Sequence, residues 1–185
     1  MDPFTPTIPQ VQRIRRLSNL LAAACVGLMI LLPVFDAAIW SLASVDVLSF
    51  TVVHLAPGSI KSSVQPWQRF AGAALMLLPI LCQLAALRQA RACFLLFAKG
   101  SIFVSAAVRI LRRFTGWMFA SILVDALAQC ATGVVMTMGN PPDERILRLA
   151  FGVDTNELIA LGTVWLMALV IGHGQAIADE NATFV

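Results

Sequence analysis

The sequence predicts an all-α membrane protein of four transmembrane helices, N-in/C-in, with a cytosolic helix–Gly–helix hairpin between spans 2 and 3. Three observations predict it. The 185 residues are 59% hydrophobic and only 12% charged, with a mean hydropathy of +0.83, whereas a soluble domain carries about 45–50% apolar and about 25% charged residues. Apolar runs fall at approximately 17–42, 70–87, 114–138 and 158–172, each near the length of about 20 residues that crosses a hydrocarbon core. Lys and Arg are concentrated before the first run and between the second and third. Lipid offers backbone groups no water to bond, so each run is expected to be a helix, and the chain is expected to form a single four-helix domain.

Residues 1–12 are rich in Pro and Thr and are expected to fray. Arg13, Arg15 and Arg16 then precede the first span. A cleaved secretory signal is not expected, because the apolar run continues far past the small-residue stretch ending at Cys25, which is stop-transfer behaviour. Pro33 and Pro79 lie inside spans one and two, where each removes a helix hydrogen bond and favours a kink. Asp36 lies toward the outer end of span one and either faces water or pairs with Arg69 at the outer end of span two.

The outer loop, 43–69, contains Val45-Asp-Val-Leu-Ser-Phe-Thr-Val-Val-His-Leu55, which is apolar but too short to cross. Its β-branched content suggests a strand or an interfacial segment closed by Pro57-Gly58. Two roles stay open for it: a cap over the outer bundle end, or a ligand-sensing lid.

The middle segment, 88–113, is the basic one. Ala90, Cys93, Phe94, Phe97 and Ala98 recur at helical spacing, Lys99 falls in the last turn, and Gly100 suits the residue just past a helix end. Ser105 can cap a second helix carrying Val108, Leu111 and Phe114 on one face and Arg109, Arg112 and Arg113 on the other. Arg88, Arg91, Lys99, Arg109, Arg112 and Arg113 outweigh Lys61, Arg69, Arg145 and Arg148, which are diluted by Asp46, Asp143, Glu144, Asp154 and Glu157. The positive-inside rule therefore predicts cytoplasmic termini and a cytoplasmic middle segment.

In the third span Ser121, Asp125 and Gln129 share one helix face at i, i+4 spacing. Two readings stay open: interhelical hydrogen bonding, joined by Gln83 of span two, or a proton- or ion-linked site. Pro141-Pro142 turns the chain into the second outer loop, 139–157. Small-residue patches such as Ala71-Gly-Ala-Ala74 and the set Gly162, Ala168 and Gly172 permit close packing, within a protomer or in a homo-oligomer.

No catalytic, cofactor or metal site is expected. Cys25, Cys82, Cys93 and Cys130 form no C-x-x-C pair, which argues for packing and against thiol redox chemistry. His54 and His173 fall on opposite sides of the bilayer in this topology and lack second ligands at metal spacing. There is no phosphate loop, dinucleotide fingerprint, H-E-x-x-H or nucleophile elbow. Direct nucleic-acid binding by the arginines is not expected, since they lie close to the membrane with no fold for groove entry.

The run Phe94-Leu-Leu-Phe-Ala-Lys-Gly-Ser-Ile-Phe103, then Val108-Arg-Ile-Leu-Arg-Arg113 and Gly116-Trp117, resembles the core signature of the bacterial family called domain of unknown function 2975. There a helix ends in an aromatic–small–basic–Gly-x-Ile-Phe element and an Arg-rich helix leads into the third span. The tail Gly174-Gln-Ala-Ile-Ala-Asp-Glu-Asn-Ala-Thr-Phe-Val185 is similar to the family's ending. The chain departs from the pattern at Val104-Ser-Ala-Ala107, where the family often carries Thr and an Asn-containing polar patch, and at Thr115, an extra residue before Gly116. The resemblance implies no enzymatic activity, and it implies a neighbouring small helix-turn-helix regulator as partner.

The expected function is thus a non-enzymatic regulatory or interaction module in the bacterial inner membrane. It would dock a small cytosolic DNA-binding regulator through Phe94, Phe97, Ile102, Phe103, Arg109 and Arg112, with the bilayer as its other partner. The tail Asp179-Glu180-Asn181 could instead cover that basic surface intramolecularly. The alternative is a small transporter or proton-coupled sensor centred on Asp125.

Overall fold

A computed structural model of the chain describes residues 8–48, 60, 63–100, 105–144 and 155–182. Among them four long helices account for nearly everything and no strand occurs: α1 (Ile8–Leu42), α2 (Pro66–Ala98), α3 (Ser105–Thr137) and α4 (Thr155–Ala182). Three are long and apolar enough to cross a membrane, covering Gln12–Leu42, Pro66–Ala98 and Ser105–Thr137, and they mark the chain as a membrane protein. The apolar part of α4, Leu158–Gly174, is shorter.

The helices outrun the apolar windows that predict them. At about 1.5 Å per residue, the 33 residues of α2 and the 33 of α3 each make a rod of about 50 Å, against a hydrocarbon core of about 30 Å. Residues 8–12, expected to fray, are helical; Pro9 falls in the first turn, where its missing N–H has no intrahelical partner to lose. Pro33 and Pro79 both lie within continuous helix.

The end of α2 follows from its sequence. Lys99 N–H donates to Leu96 O at 3.1 Å and Gly100 N–H to Phe97 O at 3.0 Å, a tightening that satisfies last-turn carbonyls. Gly100 then takes φ +81°, a left-handed conformation that costs a side-chain-bearing residue energy and glycine almost none. Helix α3 begins at Ser105.

The described residues fall into two compact units, one drawn from Met1–Met29, Leu84–Trp117 and Asn156–Val185, the other from Ile30–Gln83 and Met118–Thr155. In the first unit the buried positions are small or polar apart from Val108: Ser18, Ala22, Cys25, Ala86, Cys93, Ala107, Thr115 and Ala168. Leu17, Leu20, Leu166 and Val170 lie exposed. The second unit buries Gln68, Ser121, Thr132, Thr137 and Asn140 together with the large side chains Trp40, Leu48, Met76 and Met136, while Phe35, Leu123 and Leu127 (64% accessible) face outward. In the first unit, large aliphatic side chains outside and small or hydroxylic ones inside are the arrangement of helices that meet one another in lipid.

In the first unit, α3 and α4 run antiparallel. A side chain at Gly172 would meet Val108 Cγ1 at 3.6 Å, and Trp165, two turns earlier, lines the same groove as Arg109–Gly116. The middle of the α4 apolar stretch therefore lies beside the basic start of α3.

In the second unit a cluster of Trp40, Leu48, Met76, Ala128 and Met136 forms the core, flanked by Ile39, Ala43, Ile60, Val64 and Ala73. Of the two readings of the run from Val45, a strand or an interfacial segment, the strand is not formed at its start: Val45–Val47 is one turn of helix, closed by Leu48 N–H to Ser44 O at 3.0 Å. Burial explains it, because that turn drops Leu48 into the core, fully shielded, where an extended chain would alternate its side chains across both faces. Residues 49–59, including His54, lie outside the described residues. After α3, Asn140 N–H returns to Thr137 O at 3.0 Å, and Pro142–Glu144 forms a single 3-10 turn.

Candidate functional site

Two groups of residues have an arrangement beyond packing. The first is basic and belongs to the first unit. Ser105, Val108, Arg109, Arg112, Arg113 and Gly116 of α3, with Trp165 of α4, line an open groove of about 590 Å³. The three arginines and Trp165 are exposed. Buried Thr115 is satisfied by its own helix: its hydroxyl donates to Leu111 O at 3.1 Å and Arg112 O at 3.0 Å.

Of the residues expected to bind a partner, Arg109 and Arg112 share this groove. Phe94 and Phe97 are half-buried on α2 and belong to the same unit without lining the groove. Ile102 and Phe103 lie outside the described residues, as do the side chains of Asp179, Glu180 and Asn181.

The second group is polar and belongs to the second unit. Gln129 Nε2 donates to Asp125 Oδ2 at 2.6 Å, the contact that i, i+4 spacing on α3 permits. Ser121 does not join them: its hydroxyl donates to Met118 O at 2.7 Å, the local alternative open to a buried serine. Instead Thr132, one turn beyond Gln129, continues the stripe. Thr132 Oγ1 and Gln129 Oε1 are both buried without a hydrogen-bond partner, which is costly away from water. Gln68 ties the first turn of α2 to the last turn of α3, its Nε2 donating to Val135 O at 2.8 Å while its Oε1 accepts from the N–H of Gln65 at 2.7 Å. That second bond caps α2 in the manner of a capping box.

The expected ion pair of Asp36 and Arg69 is not formed. Arg69 Nη1 donates instead to Trp40 O at 3.2 Å and Ala43 O at 3.0 Å. These carbonyls end α1, which carries no base in its own last turn, and an unpaired helix end attracts a cation through both its free carbonyls and its dipole. Asp36 interacts with Trp40, one turn later on its own helix, although the buried indole Nε1 reaches no partner in full hydrogen-bond geometry.

The four cysteines are unpaired, Cys25 and Cys93 buried and Cys82 and Cys130 half-buried. Among the described residues no three His, Cys, Asp or Glu side chains gather as metal ligands. Sequence reasoning missed Thr132 and Trp165. Extending the Asp125/Gln129 stripe by one more turn finds the first; the second depends on how α4 is set against α3, which no local pattern encodes. No family model matches the chain, and neither curated proteins nor solved structures provide a match.

Proposed function

We propose that the protein is a four-span inner-membrane module with both termini in the cytoplasm, whose basic segment around the α2–α3 turn docks a small cytosolic regulator without performing chemistry. The observation that carries this is charge segregation. The first unit holds nine of the thirteen Lys and Arg against four acids, net +5; the second holds four against six, net −2. Such asymmetry is what the positive-inside rule reads as orientation. The length of α2 and α3 supports the same reading, since helices of about 50 Å leave their basic ends clear of a core of about 30 Å. The resemblance around residues 94–117 supports a helix-turn-helix protein as the regulator.

A photo-crosslinking residue at Phe97, in cells, tests the docking. One discrete protein adduct, lost on charge reversal of Arg109 and Arg112 with insertion unchanged, is the expected result. Recovery of lipid alone contradicts it.

The unsatisfied oxygens of Gln129 and Thr132 beside Asp125 favour a second reading, a proton- or ion-linked site in the third span. Oxygen donors without partners suit a hard cation or hydronium. Under this reading Asp125→Asn abolishes function; under the docking reading it is nearly silent.

A further inference from the structure

We propose that the groove lined by Arg109, Arg112, Arg113 and Trp165 is a binding site for one anionic phospholipid, its phosphate on the guanidinium groups and its acyl chain over Val108, Gly116 and Trp165. The arginines stand at i, i+3 and i+4 on α3, within about 6 Å along the helix axis, the span of a single phosphodiester headgroup. All three are exposed, and none is ion-paired among the described residues. Arginine's planar fork suits phosphate oxygens bidentately.

The rest of the lining decides between a lipid and a soluble anion. A site for free phosphate has no use for an apolar floor, yet this groove continues past the charges along Val108 and Gly116 to the indole of Trp165. A side chain at Gly116 would meet nothing within 4 Å, so that end of the groove is open. Trp165 is 45% accessible, and tryptophan favours the boundary between headgroup and hydrocarbon. Because the α3–α4 register brings Trp165 alongside the arginines, charge and apolar surface occur at one depth, as a phospholipid presents them. Basic pockets between helices on the cytoplasmic side bind anionic headgroups for this reason. The proposal shares Arg109 and Arg112 with the docking reading, and its test contains no partner, so the two can fail separately.

The purified full chain in detergent is supplied with phosphatidylglycerol or phosphatidylcholine at equal concentration, and retained lipid is counted by native mass spectrometry. One phosphatidylglycerol is expected to remain bound, at about tenfold preference over phosphatidylcholine. R109Q/R112Q removes the preference, and W165A weakens retention although every charge remains. R13Q/R15Q/R16Q, which alters base elsewhere, retains the lipid. Circular dichroism confirms that each variant is folded, and R109K/R112K stands in should R109Q/R112Q fail to fold, with partial loss expected because lysine keeps the charge and lacks the fork. Equal retention of the two lipids, or undiminished phosphatidylglycerol in both R109Q/R112Q and W165A, overturns the proposal. So does displacement by millimolar inorganic phosphate, which marks a free-anion site, or by an acidic peptide, which marks a protein-docking one.

Discussion

The six-membered ring of Trp40 occupies the space that a side chain at Gly72 would need: a Cβ built there comes within 3.0 Å of indole Cζ2, with two further ring atoms closer still. The contact joins α1 to α2 inside the second unit, and Trp40 belongs to its core. Gly72→Ala must therefore move a bulky, rigid ring rather than the tip of a flexible chain. Overpacking of this kind costs about 1–3 kcal/mol. Unfolding titrations in mixed micelles are expected to show that loss, and Gly162→Ala, whose Cβ would meet nothing within 4 Å, is expected to show none.

Arg69 provides a second prediction. Its two bonds to the carbonyls of Trp40 and Ala43 tie α2 to the end of α1, and hydrogen bonds from a charged donor contribute about 1.5–3 kcal/mol. Arg69→Ala is expected to lose about that much. The double-mutant cycle of Arg69→Ala with Asp36→Asn is expected to give a coupling under about 0.5 kcal/mol, as for sites that do not interact directly. A larger coupling would restore the ion pair.

Gly100 marks where α2 must stop. At φ +81° a non-glycine residue is strained by about 1–2 kcal/mol, and asparagine tolerates the conformation better than alanine. Gly100→Ala is thus expected to lower stability more than Gly100→Asn, with no contribution from crowding, because a Cβ there meets nothing within 4 Å.

Thr132 separates packing from binding. Its hydroxyl is buried and unpartnered, so Thr132→Val, which keeps the shape and removes the polar atom, is expected to be neutral or stabilising by about 1 kcal/mol. If the stripe from Asp125 to Thr132 holds a cation, the same change lowers the melting temperature in sodium-containing buffer and leaves it unchanged in choline.

Much of this fold was legible in the chain. Composition and apolar runs point to membrane helices, three of them long enough to cross. Gly100 falls just past the end of α2 because a left-handed glycine stops a helix locally, while Lys99 lies beyond the last turn and Ser105 is the first residue of α3 rather than its cap. What was not legible depends on tertiary placement. The Asp36–Arg69 pairing followed opposite charge and overlooked the carbonyls at the end of α1, a competitor that no side-chain pattern displays. Val45–Val47 has β-branched content yet turns helically, since burying Leu48 outweighs local propensity. At the candidate sites, Arg109, Arg112, Asp125 and Gln129 were visible from spacing; Trp165 was not, because its role depends on the α3–α4 register.

Whether the basic segment faces the cytoplasm can be read from cysteine accessibility. In a background with Cys25, Cys82, Cys93 and Cys130 replaced, single cysteines at Ser63, Lys99 and Asp143, all exposed positions, are treated in intact spheroplasts with a membrane-impermeant maleimide. Labelling is expected at 63 and 143, and none at 99 until the membrane is permeabilised. Labelling at 99 from outside, with 63 and 143 protected, would contradict a cytoplasmic basic segment.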